Sequence, residues 1–112
     1  MMDSYEEAAS YAGQIEQELR NMGVWQAHAP PPEAFHSTRA FFGDTMSFYQ
    51  WVQFVLLARV RSIVESRGSF PSKSSVGSYA VRELDGEHEA SELISVLCRF
   101  DRFIEKLPGA SV

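Results

Sequence analysis

Phe48-Tyr49-Gln50-Trp51-Val52-Gln53-Phe54-Val55-Leu56-Leu57 is the stretch whose reading decides the fold. Wound as a helix, it places Phe48, Val52 and Val55 on one side, continued by Val60 and Ile63. Trp51, Phe54, Leu56 and Leu57 widen the apolar surface around most of the circumference. A helix of that kind is stable only when other elements surround it. The pattern predicts a helix capped by Asp44 or Thr45, running from Met46 or Ser47 to about Ser66 and stopped by Gly68. Gln50 and Gln53 interrupt the apolar surface and need hydrogen-bond partners if buried. The backbone of the preceding Pro30 to Gly43 segment is the expected partner.

That preceding segment is itself unusual. Three prolines, Pro30, Pro31 and Pro32, lead into Phe35-His36-Ser37-Thr38 and then Phe41-Phe42-Gly43-Asp44-Thr45-Met46. Large aromatic side chains are costly to leave in water, so the loop must fold back onto the rest of the chain. It is either a lid over a helical core or the floor of a binding groove.

Working outward, Ser4 and Glu7 have the spacing of a capping box. Ala8, Ala12, Ile15, Leu19 and Met22 then mark one stripe of a first helix, stopped by Gly23 and sealed by Trp25. On the other side, Ser69 to Ser78 is turn-rich with Phe70 as its apolar anchor. A short helix from about Ser78 to Leu84 follows, with Tyr79 and Leu84 as core contacts. A last helix from about His88 to Leu107 carries Leu93, Leu97, Phe100, Ile104 and Leu107 and ends at Pro108-Gly109. No strand-like alternation appears. The predicted fold is all-α: a compact four-helix array or irregular bundle around a central second helix, with a long aromatic, proline-rich loop before it.

With 112 residues, 45% apolar and 12% aromatic, residues 1–112 fit a single domain able to bury a core without disulfide or metal staples. The lone Cys98 excludes an internal disulfide and suits a reducing compartment. The start, Met1-Met2-Asp3-Ser4-Tyr5, lacks the basic and apolar pattern of a signal peptide, and the expected location is cytoplasmic. Gln53 and Arg59 break the longest apolar run, Val52 to Val60, which is far short of a membrane span. The net charge of -5 is unevenly placed. Both ends are acidic, whereas Arg59, Arg61, Arg67, Lys73 and Arg82 face only Glu65 in the middle.

The order Trp25, proline-rich spacer, Phe35-His36-Ser37-Thr38, Phe41-Phe42-Gly43-Asp44-Thr45-Met46, Trp51-Val52-Gln53-Phe54, Arg59 and Phe70-Pro71 resembles the YqcC-like family of small bacterial proteins of unknown function. The resemblance spans most of the chain and implies a compact all-α fold. Where that family tends to carry proline, this chain has Ala40, Ala58 and Ser78, and Phe54 replaces a second helix tryptophan. Proline kinks a helix, so Ala58 predicts a straighter second helix here. The resemblance also implies an association with tRNA pseudouridine synthase C, through neighbouring genes and shared names. The catalytic domain of such an enzyme is much larger than this one.

No catalytic constellation is legible. His28, His36, His88 and Cys98 lack the short spacings of zinc motifs, so neither a metal nor a cofactor is expected. Cys98 has no adjacent base and reads as a small residue packed on an apolar helix. Asp44 reads as a helix cap, strengthened by Arg39 or Arg59. An enzyme would need His36, Asp44 and an arginine to share a pocket. Two functional classes follow. The first is a non-catalytic interaction or accessory module whose partner is a protein, such as an RNA-modifying enzyme. Its groove would be built from Trp25, Phe35, Phe41, Phe42, Asp44, Trp51, Arg39 and Arg59. The second is a small-ligand or RNA-binding domain using Arg39, Arg59, Arg61 and Lys73. The net acidity disfavours nucleic acid as the default partner.

Overall fold

The computed structural model describes residues 2–107. Helix α1 (Ser4–Asn21) buries Ala8, Ala12, Ile15 and Leu19, as its stripe predicts. Its capping box lies one residue earlier than expected. Asp3 accepts from the Glu6 amide at 2.8 Å, and Glu6 reaches back to the Asp3 amide. Asp3 fits because its carboxylate also meets Arg67, distant in the chain but 3.2 Å away in space. At the other end Gly23 takes φ +73 and lets the Val24 amide return to the Leu19 carbonyl. Trp25 is half-buried beneath the Arg20 guanidinium, 4.6 Å from its ring centre.

The decisive stretch forms one helical rod: α2 (Phe48–Trp51), a π-helical turn (Val52–Leu56) and α3 (Leu57–Ser66). The π-turn, closed by the Leu57 amide on the Val52 carbonyl, lies just ahead of Ala58. The rod therefore keeps an irregularity where loss of a proline predicted straightening. Trp51, Val52, Gln53, Val55, Leu56, Leu57 and Val60 are buried.

The rod's cap corrects the sequence reading. Ser47 is the N-cap, and it forms a reciprocal box with Gln50. Asp44 and Thr45 are committed elsewhere: Thr45 Oγ1 donates to the Ala34 carbonyl at 2.6 Å, and the Asp44 carboxylate accepts from the Ser37 hydroxyl. Gln53 grips a different segment from the one expected, donating to the Gln26 carbonyl at 2.8 Å and accepting from the Gln26 amide at 2.9 Å. Gln50 donates to the Gln26 side chain. The rod ends with Arg67 in the left-handed region at φ 52, and the Gly68 amide returns to the Ile63 carbonyl. Arg67 is held there by its guanidinium over the Tyr5 ring at 4.4 Å, while the Tyr5 hydroxyl donates to the Arg67 and Gly68 carbonyls.

Helix α4 (Val76–Glu83) starts two residues before the predicted position. No residue of its own caps it. The buried Asp101 accepts from the Val76 amide at 3.0 Å and the Gly77 amide at 2.7 Å, and from the Ser74 hydroxyl. Asp101 belongs to α5 (Ser91–Glu105), which a short 3-10 turn (His88–Ala90) introduces. Leu93, Leu97, Phe100 and Ile104 of α5 are buried as expected, so α5 shares the centre of the molecule with the rod. The predicted Pro108-Gly109 stop lies outside the described residues.

Helix α1 packs against α3 and α5, and α4 packs against α5. The α4–α5 seam depends on Gly77: a Cβ there would lie 2.6 Å from the Cys98 backbone nitrogen and Cα. There is no strand among the described residues, and none of the helices is long and apolar enough to cross a membrane.

Candidate functional site

The aromatic loop packs onto the start of the rod through a ring cluster. Phe41 stacks on Tyr79 with ring centres 4.0 Å apart, and meets Trp51 edge-on at 4.7 Å. Phe48 stacks with Trp51 at 6.3 Å. To reach this position Phe41 and Phe42 adopt φ of 56 and 50, left-handed values that are strained for bulky side chains. Such strain persists only where the surroundings over-determine it. The ring stack and the Phe42 carbonyl, which accepts from the Thr45 and Met46 amides, supply that restraint.

Trp51 is buried, yet it forms part of the wall of an open apolar groove of about 520 Å3. Leu56, Val60 and Ile63 of the rod, Phe70 and Pro71 of the connecting loop, Val76 at the start of α4, and Phe100 and Ile104 of α5 complete the apolar lining. The polar atoms come from the hydroxyls of Ser69, Ser74 and Ser75 and from two cations, Arg59 and Lys73. No carboxylate residue lines it. Both cations are exposed, and neither has an ion-pair partner among the described residues.

The residues singled out from the sequence do not all meet. Trp51 and Arg59 line the groove; Phe41 backs its Trp51 wall. Arg39 and Asp44 lie beside Tyr79 and Glu83 in a separate shallow depression, with their charged groups 4.0 Å apart. His36 does not line that depression, so the arrangement needed for an enzyme reading is not assembled there. Trp25, Phe35 and Phe42 are half-buried against the core, outside the groove lining. Arg61 is turned away: it pairs with Glu16 at 2.7 Å and borders a polar depression with Glu65 and Ser66. Arg39, Arg59, Arg61 and Lys73 therefore do not line one pocket. Among the described residues there is no group of three His, Cys, Asp or Glu side chains placed to hold a metal ion.

Sequence reasoning missed Phe70, Phe100 and Ile104 as groove residues, because each reads as ordinary core. It also missed Asp101. A signal was present: Leu97, Asp101 and Ile104 share one stripe at four- and three-residue spacing, which places a carboxylate on the buried face of α5.

Two of the titrating groups with shifted values tie elements together. Hydrogen bonds from Arg20, and then from Arg61, hold the Glu16 carboxyl below its ordinary range and join α1 to α3. Burial first, and then the hydrogen bond to Glu87 at 2.7 Å, push the Tyr49 hydroxyl well above its ordinary value.

Comparison with known proteins places this architecture. Residues 7–103 match the family DUF446, described as "tRNA pseudouridine synthase C". The chain belongs to this YqcC-like family. It is 32% identical over 80 residues to the uncharacterised protein YqcC of Escherichia coli, covering 71% of this chain and 73% of that one. An uncharacterised protein of Haemophilus influenzae is 30% identical over 84 residues, covering 75% and 79% of the two chains. The solution NMR structure of E. coli YqcC superimposes with a TM-score of 0.83 at 25% identity, over 94% of this chain and 91% of that one. A protein named tRNA pseudouridine synthase C from Pectobacterium carotovorum is 40% identical over 57 residues, which are 51% of this chain and 15% of that protein. The YqcC-like fold is thus shared almost end to end with YqcC, and the stretch shared with the Pectobacterium protein is a small part of a longer chain.

Proposed function

We propose that this YqcC-like protein is a non-catalytic interaction module that docks a partner protein in the groove beside Trp51. The observation that carries the reading is the groove itself: an open apolar trough walled by the rod, the Ser69–Ser75 connection, the start of α4 and α5. Apolar surface of this kind, rimmed by polar groups, is what a partner's side chains displace water from. The walls are braced, since Asp101 fixes the start of α4 and the ring stack fixes Trp51. A braced site loses little freedom on binding.

The partner we favour is a tRNA pseudouridine synthase C. In the Pectobacterium protein of that name, the stretch similar to this chain makes up 15% of the length, so the named activity has ample sequence in which to reside outside it. This supports an accessory role for the shared part. Physical linkage of a module to an enzyme raises their effective concentration, which a separate chain must replace with affinity.

The test is isothermal titration of the purified chain with a purified tRNA pseudouridine synthase C, using wild type and Ile63→Glu. Wild type is expected to bind, and the groove variant to lose most of that binding while keeping its helical circular dichroism. Equal binding by both proteins removes the groove from the reading. A parallel titration with tRNA at low and high salt reports on the RNA-binding alternative.

A further inference from the structure

Resting on that reading, we propose that the groove receives an acidic amphipathic segment of the partner protein: large apolar side chains seated between Trp51, Phe70 and Phe100, with adjacent carboxylates meeting Arg59 and Lys73. The charge pattern selects this occupant. The chain carries 15 acidic against 10 basic residues, yet the groove lining contains two bases and no acid. Elsewhere in the same basic stretch Arg61 is paired with Glu16 and Arg67 with Asp3, while Arg82, on α4, lies outside the groove lining. Arg59 and Lys73 have no such partner among the described residues, although they come from different elements, the rod and the connecting loop. Their aliphatic stems can extend the apolar wall while their charged ends stay at the rim. A carboxylate arriving there gains two cations beside a low-dielectric surface, where attraction is stronger than in open water.

The connecting loop favours a polypeptide over a small amphiphile. Within it, the backbone amides of Phe70 and Lys73, both groove-lining residues, donate to no group among the described residues. Main-chain groups left free beside an apolar trough can pair with an extended segment, and the trough then reads its side chains.

A short random-peptide library displayed on phage, selected on the wild-type chain, tests the proposal. The selected peptides are then measured by fluorescence anisotropy against wild type, Ile63→Glu and the double variant Arg59→Glu/Lys73→Glu. Both charged positions are exposed, so the double variant keeps the fold. Enrichment of Asp or Glu next to Leu, Phe or Trp is expected, with affinity falling about tenfold on charge reversal and lost in Ile63→Glu. Peptides without acidic enrichment, undiminished binding to the double variant, or no peptide selected above blank beads would each overturn it. So would sodium dodecanoate occupying the groove while selected peptides fail to displace it, which would point to a small anionic amphiphile. The synthase titration separates this proposal from the one beneath it. A complex abolished by Ile63→Glu but untouched by charge reversal keeps the docking role and sinks the acidic segment. Acidic peptides bound in the groove with no synthase complex do the reverse.

Discussion

Asp101 is the residue on which the placing of α4 depends. Its carboxylate, 7% exposed, takes the place of the N-cap that α4 lacks, satisfying two backbone amides and the Ser74 hydroxyl from a neighbouring helix. Replacement by alanine leaves those buried donors without partners, and Asp101→Ala is expected to lower stability by about 2–4 kcal/mol in urea unfolding. A loss within the error of a surface substitution would mean that water takes over the cap. Gly77 is the second such residue. An added methyl there meets the Cys98 backbone, which cannot swing aside, as well as its sulfur, so Gly77→Ala is expected to cost about 1–3 kcal/mol. Neither role follows from local sequence. Asp101 reads as one more solvated helical acid unless its place on the Leu97–Ile104 stripe is noticed. Gly77 reads as a loop residue until α4 is seen to press on α5.

At the scale of elements, the loop from Gln26 to Met46 is held by a few defined attachments. Gln53 supplies the first, closing both the amide and the carbonyl of Gln26. Thr45 and the Phe41 ring stack supply the others. Gln53→Leu keeps the size of the side chain but strands Gln26, and is expected to cost about 1–3 kcal/mol. Hydrogen–deuterium exchange should then speed up across residues 26–46 while α5 is unchanged; uniform acceleration everywhere would show that Gln53 supports the whole core instead. The sequence patterns identified α1, the rod, α4 and α5, because apolar spacing at three and four residues survives in each, but not the short 3-10 turns Pro32–His36 and Ala40–Phe42 within the loop. Helix starts were less legible. Asp3 and Ser4, or Thr45 and Ser47, are both chemically able to cap, and the choice is made by Arg67 and by Ala34, groups distant in the chain.

For the whole molecule, the shifted groups predict a stability profile that falls at both ends of the pH scale. Glu16 has a folded-state value held below its ordinary 4.5 by Arg20 and Arg61. Its contribution is complete above the unfolded value and is lost as pH falls through the folded one. Arg20 and Arg61 are about half exposed, so that contribution is less than about 1 kcal/mol. Tyr49 is raised above its ordinary 10.0 by burial and by Glu87. Its contribution is complete below 10.0 and declines as pH climbs above it. Thermal unfolding of wild type, Glu16→Gln and Tyr49→Phe across pH should show a shallower acid fall in the first variant and a shallower alkaline fall in the second. Parallel curves for all three proteins would deny both assignments. The groove is the feature least visible in the sequence, since its walls come from the rod, the connecting loop, the start of α4 and α5, and the spacing within any one of them describes only core. The α4–α5 seam that braces this groove also holds the chain's one thiol. An added Cβ at Gly77 would sit 2.7 Å from the Cys98 sulfur, so docked α4 covers that side of it. Half-buried Cys98 is therefore a reporter of how closely α4 sits on α5: its alkylation by N-ethylmaleimide should quicken in Asp101→Ala, and a rate indifferent to that substitution would mean that the reagent reaches the thiol from the side α4 leaves open.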